Sequence, residues 1–129
     1  MVVFYLDTSA FLKLLVAEEE STALRAWFND GPSCWSSQLL VTESLRAAQR
    51  LGLDRDVVEN VLDNVSLVLP STTTFHLAGT MVPTELRSLD ALHLATALEL
   101  GDDLDAVVAY DARLIEGARA AGLSVVTPA

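Results

Sequence analysis

At 129 residues, 51% of them apolar, the chain fits one domain that buries about two thirds of its unfolded surface. A net charge of −10, with one lysine and seven arginines, has the wrong sign for passively holding nucleic acid or an acidic membrane surface, and it suits a host for cations or a basic partner. No stretch reaches the roughly 18 apolar residues of a membrane span, and the first apolar run is cut by Asp7 without a basic flank, so a cytoplasmic protein without a secretory leader is expected.

Val2-Val3-Phe4-Tyr5-Leu6 reads as a strand buried on both faces of a parallel sheet, and it ends on Asp7. Thr8 and Ser9 are expected to cap a helix through Phe11, Leu12, Leu14 and Leu15. Glu18-Glu19-Glu20, read as solvated, leads to Ser21-Thr22 as a second cap and a helix through Leu24, Trp27 and Phe28, ended by Gly31-Pro32. Ser33 to Ser36 is a strand candidate. It carries the only cysteine, Cys34, which excludes an internal disulfide or thiolate zinc cluster and reads as a small buried hydrophobe.

Gln38 to Leu51 is a predicted helix stopped by Gly52. Asp54 caps another that runs to about Val65, and Ser66 to Leu69, closed by Pro70, is a strand. A short helix near Phe75 to Met81 is broken by Pro83, and Ser88 caps a long one from Leu89 to Leu100. Asp102, Asp103 and Asp105 read as a solvated loop. Ala106 to Ala109 form a strand running into Tyr110-Asp111, followed by a helix from Ala112 to Ala121 and a strand from Leu123 to Val126. Strands alternating with helices predict a single α/β domain, a parallel sheet of about four or five strands flanked by helices on both faces.

Ligands of such sheets bind at the carboxyl ends of the strands, where Asp7 and Asp111 arrive. Each also has a plain reading as a helix N-cap or first-turn residue. Glu43 sits at the shoulder of its helix, between an apolar arc (Leu40, Val41, Leu45, Ala48, Leu51) and a polar one. Its plain reading is a surface ion pair with Arg46 or Arg50. Asp90 opens a helix that is apolar nearly all round, where an unpaired carboxylate is costly and a cation or Arg87 would answer it. Four carboxylates meeting in one cleft would repel by roughly 4 kcal/mol per adjacent pair at ~4 Å and an effective dielectric of 20, which folding tolerates only with bound cations or raised pKa values. An all-oxygen set suits Mg²⁺ or Mn²⁺ and not zinc. His76 and His93 are isolated, and His93 reads as a satisfied core histidine.

Tyr5-Leu6-Asp7-Thr8-Ser9-Ala10, Thr42-Glu43-Ser44-Leu45-Arg46, Leu86 to Ala95 (LRSLDALHLA) and Tyr110-Asp111-Ala112-Arg113-Leu114 together resemble PIN-domain ribonucleases, and more narrowly the VapC-type toxins of prokaryotic type II toxin–antitoxin pairs. The likeness runs along essentially the whole chain, so residues 1–129 are expected to be one PIN domain. It implies a Mg²⁺- or Mn²⁺-dependent endoribonuclease in which Asp7, Glu43, Asp90 and Asp111 are the catalytic, metal-binding acids. It further implies that Thr8 or Ser9 holds Asp7 in place. Arg46, Arg50 and Arg87 flank the acids in sequence and are candidates for gripping neighbouring phosphates. The resemblance also implies an RNA substrate, a homodimer, and a cognate VapB-type antitoxin covering the cleft.

Two alternatives stand beside this reading. A non-catalytic binding module of the same fold would use its acids only as caps. A phosphoryl-accepting receiver or phosphatase-like domain would need a lysine to hold the phosphoryl group, and the only lysine is Lys13.

Overall fold

The computed structural model describes residues 2–129. Strand β1 (Val3–Leu6) lies at the centre of the sheet, and its alternating side chains divide the core in two. Leu6 packs with Phe11, Leu24, Leu40 and Val58 on one face, while Tyr5 packs with Leu94, Val107 and Leu114 on the other. This is the period-2 consequence of a strand buried on both sides. Helices α1 (Thr8–Lys13), α2 (Ser21–Asn29), α3 (Leu39–Leu51) and α4 (Arg55–Leu62) supply the first face. Helices α6 (Ser88–Glu99) and α7 (Ala112–Ala120) supply the second, and α5 (Thr72–Ala78) precedes them.

Strands β2 (Ser33–Ser37), β3 (Val65–Val68), β4 (Leu104–Val108) and β5 (Val125–Val126) complete a five-stranded, all-parallel sheet in the order β3-β2-β1-β4-β5. The chain moves outward from β1 through β2 to β3, then crosses back through α5 and α6 to lay β4 on the other side of β1. The order therefore reverses between β1 and β4. At such a switch point the connections leave in opposite directions and open a crevice beyond the carboxyl ends of the strands.

Several local expectations are corrected. Asp7, not Thr8 or Ser9, caps α1, its Oδ1 accepting the Ala10 N–H at 2.9 Å. Ser21 lies inside α2 and donates to the Val16 carbonyl, and the cap position falls to Glu20 in a left-handed conformation (φ 65°). Glu18 and Glu20 are not simply solvated, because the Lys13 Nζ sits 3.1 and 3.0 Å from their carboxylates. Val65 belongs to β3 rather than to the preceding helix, since in-register pairing with Cys34 claims it. Helix α5 starts at Thr72 under a Ser71–Thr74 capping box, earlier than Phe75. The Arg87 backbone, not Ser88, is the cap position of α6. Asp105 is an exposed residue of β4 rather than loop. Cys34 is buried as expected. No helix among the described residues is long and apolar enough to cross a membrane.

Candidate active site

The crevice at the switch point is lined by Thr8, Ser9, Leu12, Glu43, Arg50, Arg87, Ser88, Leu89, Asp90 and Asp111, around a cavity of about 400 Å³. A shallower neighbour shares Thr8, Glu43 and Arg50 with it and adds Arg46. Asp7 follows β1 directly and Asp111 is the third residue after β4, so adjacent central strands deliver both to one edge. Glu43 comes from the second turn of α3 and Asp90 from the first turn of α6. The four acids range from buried to open: Asp7 is 2% exposed, Glu43 and Asp90 are half-buried, and Asp111 is exposed.

Their electrostatics show that they feel one another. Burial pushes the Asp7 carboxyl up to about 6; the Ala10 N–H and the Ser9 side chain pull it back, and Asp90 adds to the rise. Asp90 is also raised, by burial first and then by Asp111 and Glu43, with Arg87 opposing. Glu43 differs. Burial pushes it up, but hydrogen bonds from His93 and Thr8 outweigh that and hold its carboxyl below the ordinary value. No arginine pairs with any of the four acids among the described residues; the one basic side chain in contact with them is His93, its Nε2 2.8 Å from Glu43 Oε1. The expected pairing of Glu43 with Arg46 or Arg50 does not form, and the arginines are left facing the cleft.

Three of the acids spend one named oxygen on the protein. Asp7 gives Oδ1 to the Ala10 N–H, Asp111 gives Oδ1 to the Arg113 and Leu114 N–H groups, and Glu43 gives Oε1 to Thr8 and His93. Each keeps a second oxygen for a ligand. The Thr8 hydroxyl donates to Glu43 at 2.8 Å, so it steadies Glu43; of the two hydroxyls expected to hold Asp7, Ser9 is the one whose side chain acts on that carboxyl. As the side chains are placed, no three His, Cys, Asp or Glu groups among the described residues enclose one point tightly enough to bind an ion by themselves. The donor set nevertheless fits a hard divalent cation. It is all carboxylate oxygen, burial and then mutual repulsion raise Asp7 and Asp90, and no arginine or lysine among the described residues pairs with it.

One residue that the sequence pattern leaves outside the site proves to be part of its support. His93 is buried, as expected of a satisfied core histidine, but its partners are Tyr5 (Oη to Nδ1, 2.7 Å) and Glu43. The signal was the spacing Asp90-x-x-His93, which places both residues on one face of α6. Lys13 is committed to Glu18, Glu20 and the Glu19 carbonyl, with its ammonium 4.9 Å from the centre of the Tyr110 ring. It is therefore not free to hold a phosphoryl group, which removes the receiver or phosphatase alternative.

The family model "PIN domain" matches residues 4–120. Ribonuclease VapC46 of Mycobacterium tuberculosis is 40% identical over 129 residues, spanning 99% of both chains. The crystal structure of Mycobacterium tuberculosis VapC20, described as a sarcin-ricin loop cleaving toxin, superposes with a TM-score of 0.76 at 17% identity, covering 97% of this chain and 99% of that one. A toxin–antitoxin complex from Klebsiella pneumoniae superposes with a TM-score of 0.69 at 21% identity, covering 100% and 98%. Those two likenesses bear on the fold alone. With the family model covering most of its length and a relative this similar from end to end, the chain belongs to the PIN-domain family, within its VapC group.

Proposed function

We propose that this chain is a metal-dependent endoribonuclease, the toxin of a toxin–antitoxin pair, and that residues 1–129 form its single PIN domain. The observation that carries this reading is the set of four acids at the sheet's switch point, unneutralised by any arginine and mutually repelling. Asp7, Glu43, Asp90 and Asp111 would hold Mg²⁺ or Mn²⁺ through the oxygens they do not spend on the protein. Bound there, the ion supplies Lewis acidity both for an attacking water and for the charge that grows on the scissile phosphate.

The chain's own residues do the rest. Arg46, Arg50 and Arg87, which make no ion pair among the described residues and line the cleft and its neighbour, bind the phosphates on either side of the cleaved bond. Ser9, exposed at the rim, offers a hydroxyl to the sugar-phosphate backbone. Thr8 has its proton engaged with Glu43 and orders the acid set rather than the RNA. The site binds RNA through a few arginines and a cation, which is how a chain at −10 handles a polyanion. A homodimer, a VapB-type antitoxin that covers the cleft with a basic segment, and a cytoplasmic setting complete the proposal.

Purified protein should cleave RNA with added Mg²⁺ or Mn²⁺, stop in EDTA, and lose activity in Asp7→Ala and Asp90→Ala. Activity surviving both substitutions would remove the mechanism. The module reading keeps one specific observation in its favour: Asp7 and Asp111 both do cap helices. Site-specific broadening of NMR signals around the four acids by Mn²⁺ separates the two, because caps alone produce none.

A further inference from the structure

We propose that His93, locked by Tyr5, is a positioning residue that, with Thr8, pins Oε1 of Glu43 and thereby presets the other carboxylate oxygen for the cation; this rests on the nuclease reading above. The chain of bonds begins in the core. Tyr5 and Leu6 alternate across β1, so when Leu6 faces the helices α1 to α4, Tyr5 faces α6. Its hydroxyl lies 2.7 Å from Nδ1 of His93, with both residues at most 1% exposed.

Proton counting fixes the direction of the bonds. Burial drives the Tyr5 phenol far above its ordinary value, so it keeps its proton. The neighbouring hydroxyls of Ser36 and Thr96 donate to the Leu6 and Leu92 carbonyls. Nε2 faces Oε1 of the Glu43 carboxylate, which can only accept, at 2.8 Å, so the ring carries its hydrogen there and leaves Nδ1 to accept from the Tyr5 hydroxyl. The Thr8 hydroxyl donates to the same oxygen at 2.8 Å. Both protein bonds to Glu43 thus converge on Oε1.

A carboxylate held at one oxygen by two donors cannot rotate freely about its last torsion. Glu43 needs that restraint more than the aspartates do, because it reaches the cleft on a longer side chain with one more torsion to freeze. Asp7 and Asp111 are restrained instead by their own helix caps. Outer partners of this kind, a histidine fixed in one tautomer by a further group, commonly change metal affinity 10- to 100-fold when removed. A histidine that merely satisfies the core would have no such effect.

The test measures Mn²⁺ affinity by electron paramagnetic resonance, beside kcat and KM for RNA, in His93→Leu, His93→Gln and Tyr5→Phe. Long-range nitrogen–proton NMR spectra give the tautomer. We expect wild-type protein to show Nε2–H, and His93→Leu to lose about tenfold in Mn²⁺ affinity with a matching fall in kcat and an unchanged KM. His93→Gln, whose amide places a donor near the Nε2 position, should recover most of that loss. Tyr5→Phe, which deletes only a hydroxyl, should lose severalfold. Wild-type Mn²⁺ affinity in folded His93→Leu and Tyr5→Phe would overturn the inference while leaving the nuclease reading intact. So would a His93→Gln no better than His93→Leu. If His93→Leu does not fold, His93→Gln and Tyr5→Phe decide alone. A wild-type chain with no Mn²⁺ site, or one indifferent to Asp90→Asn, overturns the nuclease reading and this inference with it.

Discussion

Asp7→Asn should make the metal-free protein more stable while abolishing its activity. Asp7 is buried, with a carboxyl that ionises near 6 in the fold against 3.8 for the ordinary group. Between those values the folded state binds the extra proton, so stability falls as pH rises through the window and stays reduced above it. The full penalty is about 3 kcal/mol. Asparagine caps a helix as well as aspartate does, so the bond from Ala10 survives. The amide brings N–H groups that lose water on burial, and these return about 1–2 kcal/mol. The net gain is about 1–2 kcal/mol at pH 7.5, or about 5 °C in melting temperature for a domain of this size.

Circular-dichroism melts of both proteins in EDTA, from pH 4 to pH 8, follow this directly. Toward pH 4 the variant should melt slightly below the wild type, because only the cost of burying the amide remains; the curves should cross between pH 4 and 6, and above 6 the variant should be the higher by a constant offset. Millimolar Mg²⁺ should then lift the wild type and not the variant, because only a ligand bound by the fold stabilises it. An Asp7→Asn protein that melts below the wild type in EDTA at pH 7.5, or an offset that ignores pH, would refute a strained buried carboxylate waiting for a cation.

Arg50→Ala and Arg87→Ala should each raise KM for RNA, leave kcat nearly unchanged, and lower the slope of binding against log salt by about one; binding titrations at several salt concentrations read this. Lys13→Met removes the ammonium that spans Glu18 and Glu20 and lies over Tyr110. Because Glu18 is well exposed the pairs are screened, and the cost should be about 1–2 kcal/mol in urea unfolding. Phe11→Ala empties a fully buried position in the face packed by α1 to α4. A loss of about 3–5 kcal/mol, seen as a lower denaturation midpoint with an unchanged slope, is expected.

The elements that were legible early are those whose patterns depend only on neighbours in sequence. Val3 to Leu6 and Ala106 to Val108 are unbroken apolar runs, and such runs fit little else than central parallel strands. The helix of Asp90 is apolar all round, and it is buried from Ala91 to Ala97. The cap of α1 is not legible in sequence because three adjacent residues offer similar chemistry. Asp7, Thr8 and Ser9 each carry an oxygen able to cap, and the choice fell to Asp7 because Thr8 is drawn to Glu43, 35 positions away. The apolar arc of α3 is right at Leu40 and Ala48, which are buried, but not throughout. Leu51 is exposed whereas Ser44 and Ala47 are buried, since the sheet and α1 approach from the side of the small residues.

What the sequence determined by itself was the alternating strand–helix order, the two strand ends on Asp7 and Asp111, and the four acids as candidates. All of these follow from local periodicity and from the chemistry of single side chains. Only the tertiary structure decided that β1 and β4 lie side by side with the chain reversing between them, which is what puts Asp7 and Asp111 on one edge. It also turned His93 from a core residue into a partner of Glu43, 50 positions away. The physical reason is range: periodicity reports which face of an element is buried, whereas the partner it meets there depends on packing between segments that the chain brings together only when it folds.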